Sequence, residues 1–466
     1  MKLLGVDVGT TSIKAAVYDQ TGQCIISAHV DYELISKGDH VEFDADEYFD
    51  LFLIAVKETA WSNDISAIAI DTQCETLIMA DEKGKPLCNA IVWLDNRAVA
   101  EACEIQKDFG RQKIYETTGQ AEVTATWPAC KLLWMKKNEP DIWKKVRKIF
   151  LLEDYLLFRL TGKFITEKTL QSSSLYFDIH KGGWWTEMLE YLNITPDMLP
   201  AIHDSGECIG NTGNITVVTG AIDQIAGAIG AGIVENGMVS EMTGTAMSIF
   251  APSEMVPPYD PVKRIPCHYN YDGRYCLLSW TATAGMVLKW YKDNFCGGMS
   301  YKELDELACR VPAGCDGLTM LPYLCGSIAP YDPDARGMFH GISLSHTKGY
   351  FARSIMEAIA CTLKSSLIDM GTDVSEIRSM GGAANSALWC QIKADITGCK
   401  IVTLKDRETA CLGSAILAGV GIGAFDSVRE ACSLLVKTDE IYLPAKAAYE
   451  DIYDRFMDLR KAVYNG

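Results

Sequence analysis

The chain has 466 residues, 48% of them hydrophobic and 22% charged, and a formal net charge of −18. Such a length suits two domains or more, and such a composition suits a soluble globular protein with a large core. The acidic balance argues against a nucleic-acid binder, no run reaches the ~18 apolar residues of a membrane helix, and Met1-Lys2-Leu3-Leu4 leads into a strand rather than a secretion signal.

The first predicted element is the string GVDVGTTSIKAAVYDQTG, Gly5 to Gly22. An apolar strand runs to Asp7, and Gly9-Thr10-Thr11-Ser12 follow. A second strand over 13–18 then closes on the turn Asp19-Gln20-Thr21-Gly22. The reading is a β-hairpin with a phosphate-holding tip. Gly9 allows close backbone approach and tolerates positive φ, and the tip hydroxyls and N–H groups donate to anionic oxygens. Asp7 repels phosphate by itself, so it makes sense as a partner of hydrated Mg²⁺.

Next come a helix around 46–61, buried strands at 65–70 and 77–80, and a turn at 81–86. A strand is expected at 90–94, a polar helix from about Arg97, and helices over 131–137 and 154–160. The strand 217–220 ends at Ala221-Ile222-Asp223-Gln224, and a small-residue helix over 225–231 follows. In the second half a strand over 238–243 meets Gly244-Thr245-Ala246 and a strand over 247–251. This second apolar–Gly–Thr–apolar hairpin lies 235 residues after the first, with Met242 where the first has Asp7. An internal duplication is one explanation and coincidence is another. Later elements are a helix over 349–367, a strand over 377–380, a helix over 386–397 and a strand over 400–403. A small-residue helix over 411–419 and a C-terminal helix from about Ala447 complete the chain. Alternating strands and helices in both halves predict α/β domains. Neither a P-loop signature nor a clean GxGxxG is present, so those nucleotide folds are not supported.

The 17 cysteines are scattered, odd in number and without a CxxC pair. They read as reduced, buried thiols, which places the chain in the cytoplasm. The dispersed histidines speak against a structural zinc site.

Asp223 is the candidate general base. It ends a buried strand, where α/β sheets bind ligands, although an N-cap aspartate would also suit that position. A phosphoryl transfer needs a carboxylate for the attacking hydroxyl and neutralisation of phosphate charge. Gln73-Cys74-Glu75-Thr76 offers an amide and a carboxylate for the hydroxyls of a polyol, or else forms a polar turn. Gly381-Gly382-Ala383-Ala384-Asn385 could let a flat ring lie against the backbone, or be a tight turn alone.

Taken together, these segments resemble the FGGY family of carbohydrate kinases, within the actin-like, ribonuclease-H-like ATPase superfamily. The similarity covers about residues 3–426. It rests on GVDVGTTSIK, TQCETLIM with NAIVWLDNRA, AIDQIAGAIGAG, MTGTAMSIF, TAGMVLKW, LPYLCGSIAPYDPDARGMFHGISLSHT and MGGAANSALWCQIKADITG, in the family's order. The resemblance implies two ribonuclease-H-like domains, 1–235 and 236–466, around a central cleft. It implies ATP and Mg²⁺ as cofactors, with Asp223 as the base and Asp7 near the metal. Gly9, Thr10, Thr11, Ser12 and Lys14 are then expected at the phosphates from one side, and Gly244 and Thr245 from the other. Gly285 and Lys289 fall at nucleotide-side positions, and Gly382, Ala383 and Asn385 match the adenosine pocket. Gln73, Cys74, Glu75, Thr126, Trp127, Asp223 and Gln224 match the substrate pocket.

Three departures stand out. A Gly-Glu-Arg run is replaced by Cys325-Gly326-Ser327-Ile328-Ala329. Cys74-Glu75 stands where glycerol kinases carry arginine and glutamate and xylulokinases carry methionine and histidine. The adenine segment reads GGAANS rather than GGGARS. The expected reaction is phosphorylation of a hydroxyl on a ketopentose, with gluconate or a polyol as alternatives. No nucleic-acid or membrane partner is expected, and a homodimer is left open. Readings of another class are a non-catalytic sugar sensor on the same fold and a heat-shock-type ATPase.

Overall fold

The computed structural model describes residues 1–60, 64–327, 332–445 and 449–464. The predicted helix end at Trp61, the Ile328-Ala329 stretch and the predicted helix start at Ala447 lie outside the described residues.

Two large sheets organise the molecule. The first has six strands in the order Cys208–Thr212, Ile215–Val218, Ala67–Thr72, Lys2–Val8, Ser12–Asp19, Cys24–Asp31. Lys2–Val8 pairs antiparallel with Ser12–Asp19 and parallel with Ala67–Thr72, which in turn runs parallel to Ile215–Val218. Leu4, Val6, Val8, Ile13, Ala15 and Val17 are buried, as period-2 patterning with a covered face requires.

The second sheet has seven strands in the order Cys267–Tyr269, Tyr275–Thr281, Met247–Ser253, Met238–Thr243, Glu376–Met380, Lys400–Leu404, Thr438–Tyr442. Met238–Thr243 again pairs antiparallel with its hairpin partner and parallel with Glu376–Met380, which runs parallel to Lys400–Leu404. Both sheets therefore contain a three-stranded antiparallel meander joined through its first strand to two parallel strands. The hairpin spacing in the sequence is matched by this shared topology.

The halves are not independently wrapped. Helix Thr409–Gly421 lies in the chain between two strands of the second sheet, Lys400–Leu404 and Thr438–Tyr442, but packs on the first. A Cβ added to Gly5 would lie 1.8 Å from the Cys411 carbonyl oxygen. The same helix crosses Asp223–Gly230, where a Cβ on Gly230 would meet the Thr409 oxygen, and one on Gly413 the Ala226 oxygen, each at 1.8 Å. Only glycine permits this backbone contact, which explains the small-residue runs at both places.

A smaller five-stranded sheet stands in the order Ile35–Lys37, His40–Phe43, Ala90–Ile91, Leu77–Ala80, Lys148–Leu151. The strand expected at 90–94 is only its first two residues, because Asp95 accepts backbone and side-chain donors and turns the chain. The expected polar helix is Val99–Phe109. The reading above has no strand at Cys24–Asp31. It is an outer strand of half-exposed, mixed polarity, so its alternation is weak. All 17 cysteines are free. Among the described residues no helix is long and apolar enough to cross a membrane.

Candidate active site

Three carboxylates gather at the C-terminal ends of adjacent strands in the first sheet. Asp7 sits opposite Asp71 in the parallel register and opposite Lys14 in the hairpin. Asp223 follows Ile222, which bridges to Thr72 at the end of the neighbouring strand. Asp223 is the first residue of its helix and does not cap it. Ile222 holds the cap position, and Asp223 Oδ1 accepts the next amide, Gln224 N–H, at 2.7 Å. Burial, then the nearby Asp7 charge, push the Asp223 carboxyl up to about 8.

Asp71 is fully buried. Its Oδ2 accepts from the Ser414 hydroxyl at 2.6 Å, while Oδ1 meets no donor. Burial raises both Asp7 and Asp71, which are paired in register on adjacent strands, and the Asp7 charge raises Asp71 further. Two such carboxyls need a shared proton or a cation between them. The chemistry of this pair therefore fits a hydrated divalent cation. Among the described residues no group of three or more His, Cys, Asp or Glu forms a metal cage. That is what Mg²⁺ tolerates, since it keeps several waters and uses one or two carboxylates.

The first hairpin tip is braced from behind. Gly9 N–H donates to Ser12 O at 3.0 Å, and Gly9 O accepts from the Tyr32 and Tyr48 hydroxyls at 2.6 and 3.1 Å. Trp93 Nε1 donates to Thr10 Oγ1 at 3.0 Å. Thr11 is exposed and Ser12 begins the second strand. Gly9 tolerates positive φ but does not take it here. Its missing side chain leaves room instead: the nearest atom to an added Cβ is Ser12 O at 3.4 Å. Lys14 Nζ is half-buried and pairs with Glu408 at 2.7 Å, across the join between the halves. Its charge is therefore shared with Glu408.

At the second hairpin Gly244 N–H donates to Ala246 O at 2.9 Å, and Thr245 O accepts from the Ala284 and Met286 amides at 3.0 and 3.2 Å. An added Cβ on Gly285 would lie 2.2 Å from Gly244 O, so the helix Gly285–Phe295 abuts the hairpin. Gly381, at φ 76°, packs equally close to Thr243 O, with an added Cβ 2.7 Å away. The turn Gly382–Asn385 thus lies beside Gly244, with Gly382 and Asn385 exposed and Ala383 buried. Lys289 does not join this group. It is exposed and pairs with Asp293 at 2.5 Å on its own helix.

The loop that carries Gln73, Cys74 and Glu75 lies beside Asp223 and Gln224. Cys74 Sγ donates to Gln224 Oε1 at 3.7 Å. Gln73 N–H donates to Val8 O at 3.0 Å, and its buried Oε1 is without a partner. Glu75 adopts φ 58°, and burial raises its carboxyl. Trp127 Nε1 donates to Glu122 O at 2.8 Å, and Trp127 with Thr126 leads into the helix Pro128–Asn138.

Three groups escaped the sequence reading. Asp71 ends an apolar strand in the way Asp7 does, a signal that was available. Lys131 interrupts the apolar run Ala129–Leu133 and is fully buried. Ser173 lies beside Glu75 and Cys74 with its buried hydroxyl oxygen unpartnered, and nothing in Gln171-Ser172-Ser173-Ser174 singles it out.

Comparison with known proteins finds relatives along nearly the whole chain. The N-terminal domain model of the FGGY family of carbohydrate kinases matches residues 2–230, and the C-terminal domain model matches residues 260–422. A xylulose kinase of Staphylococcus epidermidis is 31% identical, with 99% of this chain and 96% of the relative covered. A glycerol kinase of Thermococcus kodakarensis is also 31% identical, covering 95% of this chain and 92% of its own. The crystal structure of gluconate kinase from Lactobacillus acidophilus superposes with a TM-score of 0.92 at 27% identity, over 99% of this chain and 98% of the other.

Proposed function

The chain belongs to the FGGY family of carbohydrate kinases, whose phosphate donor is ATP, and from that premise we propose a ketopentose as its acceptor. A xylulose kinase, 31% identical over 99% of this chain and 96% of its own, supports this choice, while the glycerol kinase of equal identity, aligned over 95% and 92%, keeps a polyol as the alternative. A sugar acid suits the pocket less well. Glu75 and Asp223 would face its carboxylate, and the nearby cation, Lys131, already spends its ammonium on two backbone carbonyls. A polyol is the second reading, favoured by Glu75, whose carboxyl could take two adjacent hydroxyls.

In this reading residues 1–235 hold the sugar and the acids, and 236–466 hold the nucleotide. Asp223 accepts the acceptor hydroxyl's proton as its oxygen bonds to the γ-phosphorus and the bond to the ADP oxygen breaks. The hairpins at Gly9–Ser12 and Gly244-Thr245 hold the phosphates from opposite sides. Asp7, with Asp71 behind it, would hold Mg²⁺, which when bound neutralises phosphate charge. Gly285 lets its helix approach the second hairpin, and Gly382, Ala383 and Asn385 border the nucleoside. Closing the cleft excludes water, the competing acceptor.

The test is an ADP-release screen over pentuloses, hexuloses, aldonates and polyols, repeated with Asp223→Asn. A pentulose is expected to give the highest kcat/KM. The variant should stay folded with turnover lower by about 10²–10⁴. Near-normal turnover in it would refute the base assignment. A greater kcat/KM with an aldonate or polyol would replace the acceptor.

A further inference from the structure

Glu75 is held in a backbone conformation that a glutamate does not choose. Its φ of 58° lies in the left-handed region, unfavourable for any residue with a Cβ. What faces its carbonyl is the ammonium of Lys131. Lys131 Nζ donates to Glu75 O at 2.8 Å and to Val92 O at 2.9 Å. The lysine side chain is wholly buried, on the helix Pro128–Asn138 that follows Trp127. Burial pulls the Lys131 ammonium down to about 7, against the attraction of the Glu75 and Asp95 carboxyls, and Arg97 also opposes its charge.

Burying an ammonium is expensive, and an apolar side chain of similar size would serve packing as well or better. The bonds it makes join three separate segments. One is the loop between strands Ala67–Thr72 and Leu77–Ala80, which carries Gln73, Cys74 and Glu75. The second is its own helix, entered through Thr126 and Trp127. The third is Val92-Trp93, and Trp93 reaches the first hairpin by donating to Thr10 Oγ1 at 3.0 Å. A single cation thus ties the acceptor loop to the tip of the phosphate hairpin.

We propose that Lys131 is a positioning residue for the acceptor: it pins the left-handed Glu75 by its carbonyl, so that the Glu75 carboxyl stays beside Cys74 and Ser173 in register with the phosphate hairpin. This rests on the sugar-kinase reading. Lys131 touches neither substrate. It acts through the backbone of Glu75.

Lys131→Met keeps the length of the side chain and removes the donor. Its KM for the acceptor should rise about 10-fold, the order set by releasing one left-handed residue. KM for ATP and ATP hydrolysis without acceptor should stay within about 3-fold of the parent protein. Lys131→Gln, which keeps an uncharged N–H donor, should recover most of the acceptor KM. A fall in kcat with the acceptor KM unchanged in Lys131→Met, or in Lys131→Leu where the methionine variant does not fold, overturns the proposal.

Glu75→Gly supplies an independent check, because glycine takes positive φ at no steric cost. In that background Lys131→Met should change the acceptor KM by less than about 3-fold. A full further 10-fold would mean that Lys131 acts elsewhere, and overturns the proposal. A crystal structure of Lys131→Met, or of Lys131→Leu, reads the same claim without any acceptor. Glu75 should leave the left-handed region, and Glu75 unmoved near φ 58° overturns the proposal. Failure of the parent protein to phosphorylate any compound in the acceptor screen refutes the sugar-kinase reading instead.

Discussion

The two halves share a strand order and differ in what stands at the strand ends. In the first sheet Asp7 faces Asp71 across parallel strands. At the matching place in the second sheet Met242 faces Met380. One copy of the fold presents two acids to the cleft and the other presents two thioethers. Buried charge differs in the same direction. In the second half Glu241 pairs with Lys393 at 2.7 Å and Glu357 with Arg353 at 3.0 Å. The first half has one such pair, Asp95 with Arg97 at 2.7 Å, but its Glu153, Asp154 and Glu167 are fully buried with neutral donors as partners. Under the function proposed above, two halves of like topology separate duties: the first holds acids where protons and a metal would be handled, and the second has no such acids where the nucleotide would lie.

The strongest way to break this contrast is to make the first half resemble the second. Asp7→Met should fold, since the equivalent place in the second sheet carries methionine. Its turnover should fall by about 10²–10³, the size of losing one preorganised electrostatic group. ADP release at saturating ATP and acceptor measures this, with a thermal melt as the folding control. Turnover within tenfold of the parent would move the metal and phosphate role away from Asp7.

The converse change should be milder. Met242→Asp places a carboxylate beside Gly244-Thr245, where it would repel the phosphates. The KM for ATP should rise about 10-fold, corresponding to about 1.4 kcal/mol, while the acceptor KM stays unchanged. An unaltered ATP KM would argue that the second hairpin does not face the phosphates.

What the sequence revealed divides along physical lines. Gly9-Thr10-Thr11-Ser12, Gly244-Thr245 and Asp223-Gln224 were legible because each is a contiguous turn or strand end whose chemistry needs neighbouring residues. Met242, set against Asp7, already hinted at the asymmetry. The pairings that complete the site were not legible, because their members lie far apart in the chain. Ser414 reaches Asp71 and Glu408 reaches Lys14 only because the helix Thr409–Gly421 crosses to the first sheet. Lys289 shows the opposite limit: the sequence puts it just after Gly285, but the face of the helix it occupies depends on packing and pairs it with Asp293. Lys131 reads as a helix residue from spacing. Its role depends on the left-handed turn at Glu75, which a glutamate does not advertise.

The mildest effect concerns stability. Burial pushes Asp154 up to about 8 and Glu167 up to about 7, against ordinary values of 3.8 and 4.5. The folded protein therefore keeps these protons to higher pH than the unfolded chain does. Between about pH 4.5 and the folded values, folding binds protons, so stability falls as pH rises. The contribution is complete below the unfolded values and lost as pH passes through 7 and 8. Each group costs about 1.4 kcal/mol per pH unit within its window. Glu241 and Glu357 of the second half each pair with a cation, whereas Asp154 and Glu167 do not, so this slope belongs to the first half. Thermal melts from pH 5.5 to 8.5 test this against Asp154→Asn and Glu167→Gln, which keep the shapes and remove the titration. The parent Tm should drop by about 2–4 °C per pH unit relative to the variants over that range. Parallel curves for parent and variants would show that these acids are ionised in the fold, and would remove the electrostatic half of the contrast between the two sheets.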